Sequence, residues 1–398
     1  MTRAVVPGPT DGVVRSAGTG RFDAYLPAPT VQVHAANLMF LPGGALGCAW
    51  FGGTQEGVPD VSVHFSRLEA GSAGWGAPVQ LSDDPTRSEQ NPVLFVAPDG
   101  DVWLFYTAQV AGNQDTSEVR CRVSPDGGRR FGPVRVVIPA GPAGGVFVRQ
   151  PPVVTDDGRW LLPVFNCARV PGQRWSGDAD TSSVYASTDG GASWVPTEVP
   201  GSVGCVHMNL VPLPDQTLLA LYRSRWADSV HASWSIDGGR TFSAPEPVGL
   251  PNNNSSVQAV ALDDGRVALV YNHASVADAT QRRVSLYDEI DDEGGAVDGG
   301  PRVLGDADTR VRRAFWGAPR APLSLAVSSD GGRTWPVRHD LEVGDGYCMT
   351  NNSRDGLNRE FSYPSIRQGP EGDLHVAFTY FRQAIKYVRL DRSWTEAP

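Results

Sequence analysis

Short runs of apolar residues, each broken by a turn rich in Gly, Asp and Pro, recur along this chain from one end to the other. Six of the turns share a form: LPGGALGCAW from Leu41, APDGDVWLFY from Ala97, TDDGRWLLPV from Thr155, LPDQTLLALY from Leu213, LDDGRVALVY from Leu262 and GPEGDLHVAF from Gly369. Each joins an apolar segment to a second apolar strand, the pattern of a β-hairpin. A second turn, Ser-x-Asp-x-Gly-x-x-aromatic, occurs four times, as SPDGGRRF at Ser124, STDGGASW at Ser187, SIDGGRTF at Ser235 and SSDGGRTW at Ser328. Its Asp can accept bonds from nearby backbone N–H groups and its glycines supply positive φ. The aromatics Phe131, Trp194, Phe242 and Trp335 then lead into a strand and pack between sheets.

Repetition of a β-unit at intervals of tens of residues signals a solenoid or propeller. Four of the six hairpins are followed by an Asp-containing turn, and the first has a degenerate substitute between Ser66 and Trp75. The reading is all-β: a six-bladed β-propeller of four-stranded blades, over residues 31–398, with residues 1–30 as an N-terminal extension. An acidic, Gly-rich tract, DEIDDEGGAVDGGPRVLGDAD, breaks blade five between about 274 and 318. It reads first as a solvated loop, and otherwise as a lid.

Topology then selects the residues that can meet. If each blade runs innermost strand first, the Asp-containing turns share one face with the six hairpin turns. The opposite face collects the residues that open the inner strands: His34, Gln90 and Asn91, Arg149 and Gln150, His207 and Asn209, Asn254 and Ser255, and Tyr363. It also receives the loops after each second strand, with Glu56 and Asp60, Arg174 and Asp178, Arg223, Arg225 and Asp228, Arg320 and Arg382. So many arginines in a chain of net charge -10 point to an anionic ligand on that face. The same acidic balance argues against a nucleic-acid surface.

The remaining composition sets the setting. Five scattered cysteines form neither a disulfide framework nor a metal pattern, so a reducing, cytoplasmic location is expected. Neither an export signal nor a membrane-spanning run is visible. No metal motif is evident, and no cofactor is expected.

The four Asp boxes, the six blades and the stretch EFSYPSIRQGPEGDLHVAFTY from Glu360 resemble the sialidase (neuraminidase) superfamily, in particular its bacterial members with BNR repeats. The resemblance covers nearly the whole chain from about Val33. It implies that Tyr363 is the nucleophile, that Arg223 and Arg320 are two of three carboxylate-binding arginines, and that Asp60 is the acid/base. Two positions depart from the family. His34-Ala-Ala-Asn-Leu stands where sialidases open blade one with Arg-Ile-Pro, and His207 stands where they place the glutamate that polarises the tyrosine. From the residues alone, Glu56 competes with Asp60 for the acid role, since Gly52, Gly53 and Gly57 give Glu56 a flexible loop while Asp60 adjoins a strand.

The expected function is an exo-acting, sialidase-like hydrolase that removes a terminal acidic sugar. Tyr363, His207 and Asp60 or Glu56 are the catalytic candidates; His34, Arg149, Gln150, Arg223, Arg225, Asn254, Arg320 and Arg382 are the substrate contacts. Tyrosine, histidine and arginine could instead serve a lyase that eliminates next to a uronate. A propeller that binds glycans or proteins without chemistry is the third reading.

Overall fold

A computed structural model describes residues 3–290, 301–305 and 312–397. Six antiparallel sheets stand around one axis, each entered by its inner strand: Gln32–Phe40, Ser88–Val96, Gly144–Val148 (resuming at Val153–Val154), Cys205–Pro212, Gln258–Ala261 and Phe361–Gln368. Blade one continues outward through Leu46–Gly53, Ser62–Leu68 and Val79–Gln80. The expected six-bladed propeller is the fold.

Burial follows position in the blade. Second strands such as Leu46–Gly53 and Val102–Gln109 are buried along their whole length, because neighbouring blades cover both faces. Their sequences accordingly read as continuous apolar runs. Outer strands such as Val195–Glu198 are largely exposed. Aromatic side chains fill the wedges between blades, as where Phe95, Trp103 and Trp160 meet edge to face at 5.0–5.3 Å.

The ring is closed by residues set apart above as an extension. Arg21–Tyr25 pairs with Ala384–Leu390 at the outer side of blade six, with Phe22 opposite Arg389 and Tyr25 opposite Lys386, and Arg15–Gly18 adds a fifth strand. The boundary at residue 31 therefore cuts through a blade. RFDAY alternates like a strand, yet its partner lies at the far end of the chain, so nothing local marks it.

In blade five the chain leaves the sheet after Asn272 and returns at Leu323. Within this excursion Gln281–Arg282 pairs with Arg302–Val303. Residues 291–300 and 306–311 of the acidic tract lie outside the described residues. The segment before them is packed rather than solvated: Leu286, Tyr287 and Ile290 are buried against Phe147, Phe165, Trp175 and Trp316.

Candidate active site

The site is built where the inner strands lose their pairing. Register with the second strand slips between His34 and Asn37, Gln90 and Val93, Val206 and Asn209, and Ser362 and Ser365. Inside these slips Ala35, Asn91, His207 and Tyr363 take the left-handed conformation, with φ of 62°, 50°, 57° and 52°. Asn254 does the same at 57°, ahead of the blade-five strand. A bulge re-aims a side chain at the cost of its ladder bonds. For residues as large as Tyr or His this backbone costs on the order of 1–3 kcal/mol, and it persists only where surrounding contacts impose it.

The result is a compact group around Tyr363. Arg223 Nη1 donates to Tyr363 Oη at 2.5 Å and lies 3.4 Å from His207 Nε2, while its Nε donates to Asn254 Oδ1 at 2.6 Å. The His34 ring is tilted 4.2 Å from the Tyr363 ring, and the His207 ring meets it edge-on at 5.6 Å. The guanidinium groups of Arg149, Arg223 and Arg320 lie 5.3, 5.6 and 5.5 Å from its centre.

Charge is unevenly balanced here. Arg320 donates to Glu360 at 2.5 Å; Arg382 donates to Glu360 as well and to Glu56 at 2.6 Å. Burial alone would raise the Glu360 carboxyl, but the two arginines win and pull it down to about 2. Arg225 is bound through two nitrogens to Asp180, at 2.7 and 3.1 Å, among Phe165, Trp175 and Trp316. Arg149 and Arg223 have no carboxylate partner among the described residues. Burial pushes their guanidinium groups down to about 10 and about 9 respectively. His34 and His207 are pushed well below the ordinary histidine value, first by burial and then by the arginines, so both are neutral. His34 Nε2, His207 Nδ1 and Arg149 Nη1 are buried without a hydrogen-bond partner among the described residues. Buried donors and acceptors left open beside unpaired cations mark a place where an anion can bind.

The structure thus gathers Tyr363, His34, His207, Arg149, Arg223, Arg320 and Asn254, and engages the other candidates elsewhere. Gln150 bonds to Val257 O at 2.7 Å and to Gln258 at 2.6 Å. Arg149 commits Nη2 to backbone carbonyls and Nε to Ser256, and Nη1 stays open. Arg225 is neutralised by Asp180. Asn252 and Asn253 build a turn, with Asn252 Oδ1 accepting from Ser224 N and Asn254 N at 3.0 Å each. Asp60 is exposed at the rim, held by Thr54 Oγ1 at 2.6 Å and Thr54 N at 3.1 Å. Beside it opens a cavity of about 340 Å³ lined by Thr54, Gln55, Val58, Asp60, Asn352 and Arg354.

Two features escaped sequence reasoning. Glu360, three residues before Tyr363, ties Arg320 to Arg382. Tyr287, from the blade-five excursion, reaches blade two, where Gln109 and Gln114 donate to its hydroxyl at 3.1 and 3.0 Å. The Tyr287 ring sits so close to Gly57 that a Cβ there would lie 2.7 Å from it.

No curated protein matches the chain in sequence. Among solved structures, a Hadza microbial sialidase is similar with a TM-score of 0.65 at 12% identity, over 92% of this chain and 67% of that one. The intramolecular trans-sialidase from Ruminococcus gnavus gives 0.61 at 12% identity, over 92% and 96%. A protein of unknown function from Dyadobacter fermentans gives 0.66 at 17% identity, over 97% and 100%. At such identities the likeness speaks for the fold. The BNR repeat-like domain family matches residues 44–376, from the first hairpin to the second strand of blade six. Its propeller is shared with solved sialidases, and with the family match over most of its length the chain belongs to the BNR repeat-like domain family.

Proposed function

We propose that this propeller is an exo-acting glycosidase of the sialidase type, removing a terminal acidic sugar with Tyr363 as nucleophile. The observation that carries the reading is the Tyr363 hydroxyl held 2.5 Å from Arg223 Nη1, with two neutral imidazoles against its ring. Arg223 Nη1 fixes the position of Oη, and neutral His207, whose ring meets the phenol edge-on, offers a lone pair for the phenolic proton. Oη attacks the anomeric carbon as the bond to the leaving oxygen breaks, and Asp60 protonates that oxygen. Asp60 suits this part because it lines the rim cavity, where a leaving group has room, whereas Glu56 is committed to Arg382. Arg223 and Arg320 receive the carboxylate of the sugar. Solved neighbours named as sialidases support the substrate class.

One observation favours elimination next to a uronate as a second reading. Among the described residues, the hydrogen-bond partner of Tyr363 Oη is an arginine rather than a carboxylate, an environment that also suits a tyrosine base. Product analysis by mass spectrometry on acidic oligosaccharides in heavy-oxygen water separates the readings. Label in the released sugar means hydrolysis, and a product lighter by one water means elimination. Binding without any product leaves a glycan-binding propeller. A reducing, cytoplasmic setting is part of the proposal, supported by five buried, unpaired cysteines.

A further inference from the structure

We infer that Arg149 is a positioning residue, a strut across the propeller axis that fixes the backbone of Tyr363. The inference rests on reading Tyr363 as the reacting group.

Arg149 leaves blade three in the gap between Gly144–Val148 and Val153–Val154, and Pro151 and Pro152 keep that gap out of the ladder. Its side chain is buried and reaches blades one, five and six. Nη2 donates to the carbonyls of Ala36, Tyr363 and Pro364 at 3.1, 3.0 and 3.2 Å, and Nε donates to Ser256 Oγ at 3.3 Å. These three carbonyls lie inside the slips that interrupt blades one and six, so the ladder cannot satisfy them. A buried carbonyl without a donor is costly, and one guanidinium answers all three. The same group lies 5.3 Å from the Tyr363 ring centre, adding a cation–π contact to the phenol it steadies. The left-handed conformation at Tyr363, with φ of 52°, is therefore imposed from a residue 214 positions away. Lysine cannot replace this fork, because an ammonium group on a flexible stem is a point charge rather than a planar set of donors.

The test labels the full chain with 3-fluorotyrosine and assigns the Tyr363 signal by its loss in Tyr363→Phe. In Arg149→Gln and Arg149→Lys the Tyr363 signal should move or broaden while those of the other tyrosines hold. On a substrate that the parent cleaves, kcat should fall about a hundredfold, the cost of a displacement near 1 Å, with KM little changed. A Tyr363 signal that stays at its parent position in the variants overturns the inference. So does a tenfold rise in KM with kcat retained, which assigns Arg149 to the substrate. Should Arg149→Gln fail to fold, Arg149→Lys keeps the charge and is judged by the same two readouts. If Tyr363→Phe keeps full turnover, the catalytic reading falls, while the fluorine signal still decides what Arg149 holds in place.

Discussion

The two faces of this propeller are made by opposite means. On one face the Asp boxes repeat the same bonds in each copy. Ser235 Oγ donates to Asp237 Oδ1 at 2.8 Å, Gly239 N donates to Ser235 Oγ at 2.8 Å, and Arg240 N and Thr241 N donate to Asp237 Oδ1 at 3.0 and 2.9 Å; the copy at Ser328 repeats these bonds to within 0.1 Å. All partners lie within four residues of one another. On the other face no motif repeats from blade to blade, and contacts join residues far apart, such as Arg382 with Glu56 across 326 positions and Arg223 with Tyr363 across 140. The boxed face can be specified turn by turn, and it leaves the other free to carry a different residue on each blade. Stability that is local and repeated permits chemistry that is neither.

The sharpest way to break this division is at Tyr363. Tyr363→Phe removes one hydroxyl from a packed ring, so the fold should survive while turnover falls by roughly 10³-fold or more. His207→Ala should cost about as much, and the double variant little more than either single one, because members of one catalytic unit are not additive. Kinetics on a substrate the parent cleaves, beside melting curves, decide the matter. Near-normal turnover in Tyr363→Phe moves the chemistry to Asp60 and Glu56.

Glu360 tests whether the site face also bears load. Glu360→Gln leaves Arg320 and Arg382 facing a neutral amide, and breaking a buried ion pair from one side costs about 3–5 kcal/mol, readable from denaturant midpoints. Acid unfolding gives the same residue a signature. The Glu360 carboxyl falls from 4.5 in the unfolded chain to about 2 in the fold, so its stabilisation is complete above pH 4.5 and is lost as pH falls towards 2. His34 and His207 are held well below 6.5, so the unfolded chain gains protons first as pH drops through 6.5. Stability should therefore begin to decline near pH 6.5 in the parent and in Glu360→Gln alike, and the leg between 4.5 and 2 should shrink in the variant. A smaller effect, about 2–3 kcal/mol of affinity for a carboxylated sugar by calorimetry, is expected for Arg223→Lys, since a fork of donors becomes a single ammonium.

What was legible in the sequence follows the same division. Hairpins and Asp boxes could be read because their bonds close within a few residues, and their count gave six blades. Blade order then placed Tyr363, His207, Arg223 and Arg320 on one face without any structure. The closing strand Arg21–Tyr25 was missed because its pattern is short and its partner, Ala384–Leu390, is remote. The signal for Glu360 in the sequence is an acidic residue three before the tyrosine, on the face that receives two loop arginines. Topology gives the face on which Arg149 and Gln150 start and not what their side chains reach, so their bonds to Tyr363 O and Val257 O are not legible in the sequence.

The last and smallest effect belongs to the boxed face. Asp237 accepts bonds from Ser235 Oγ, Arg240 N and Thr241 N through one oxygen and from Thr241 Oγ1 at 2.6 Å through the other. The turn is only partly buried, so water can replace some of these bonds, and Asp237→Ala should cost about 1–2 kcal/mol, in the range of a lost helix cap. Asp237→Asn keeps an acceptor oxygen in the same place and should lose less. Neither should alter kcat or KM, because the turn and the Tyr363 centre lie on opposite faces of the propeller and in different blades. Denaturant unfolding of both variants, paired with kinetics, reads the two halves of this expectation separately. A change in kcat comparable to that of an Arg149 variant would show the two faces to be coupled, and the division between them would no longer describe the molecule.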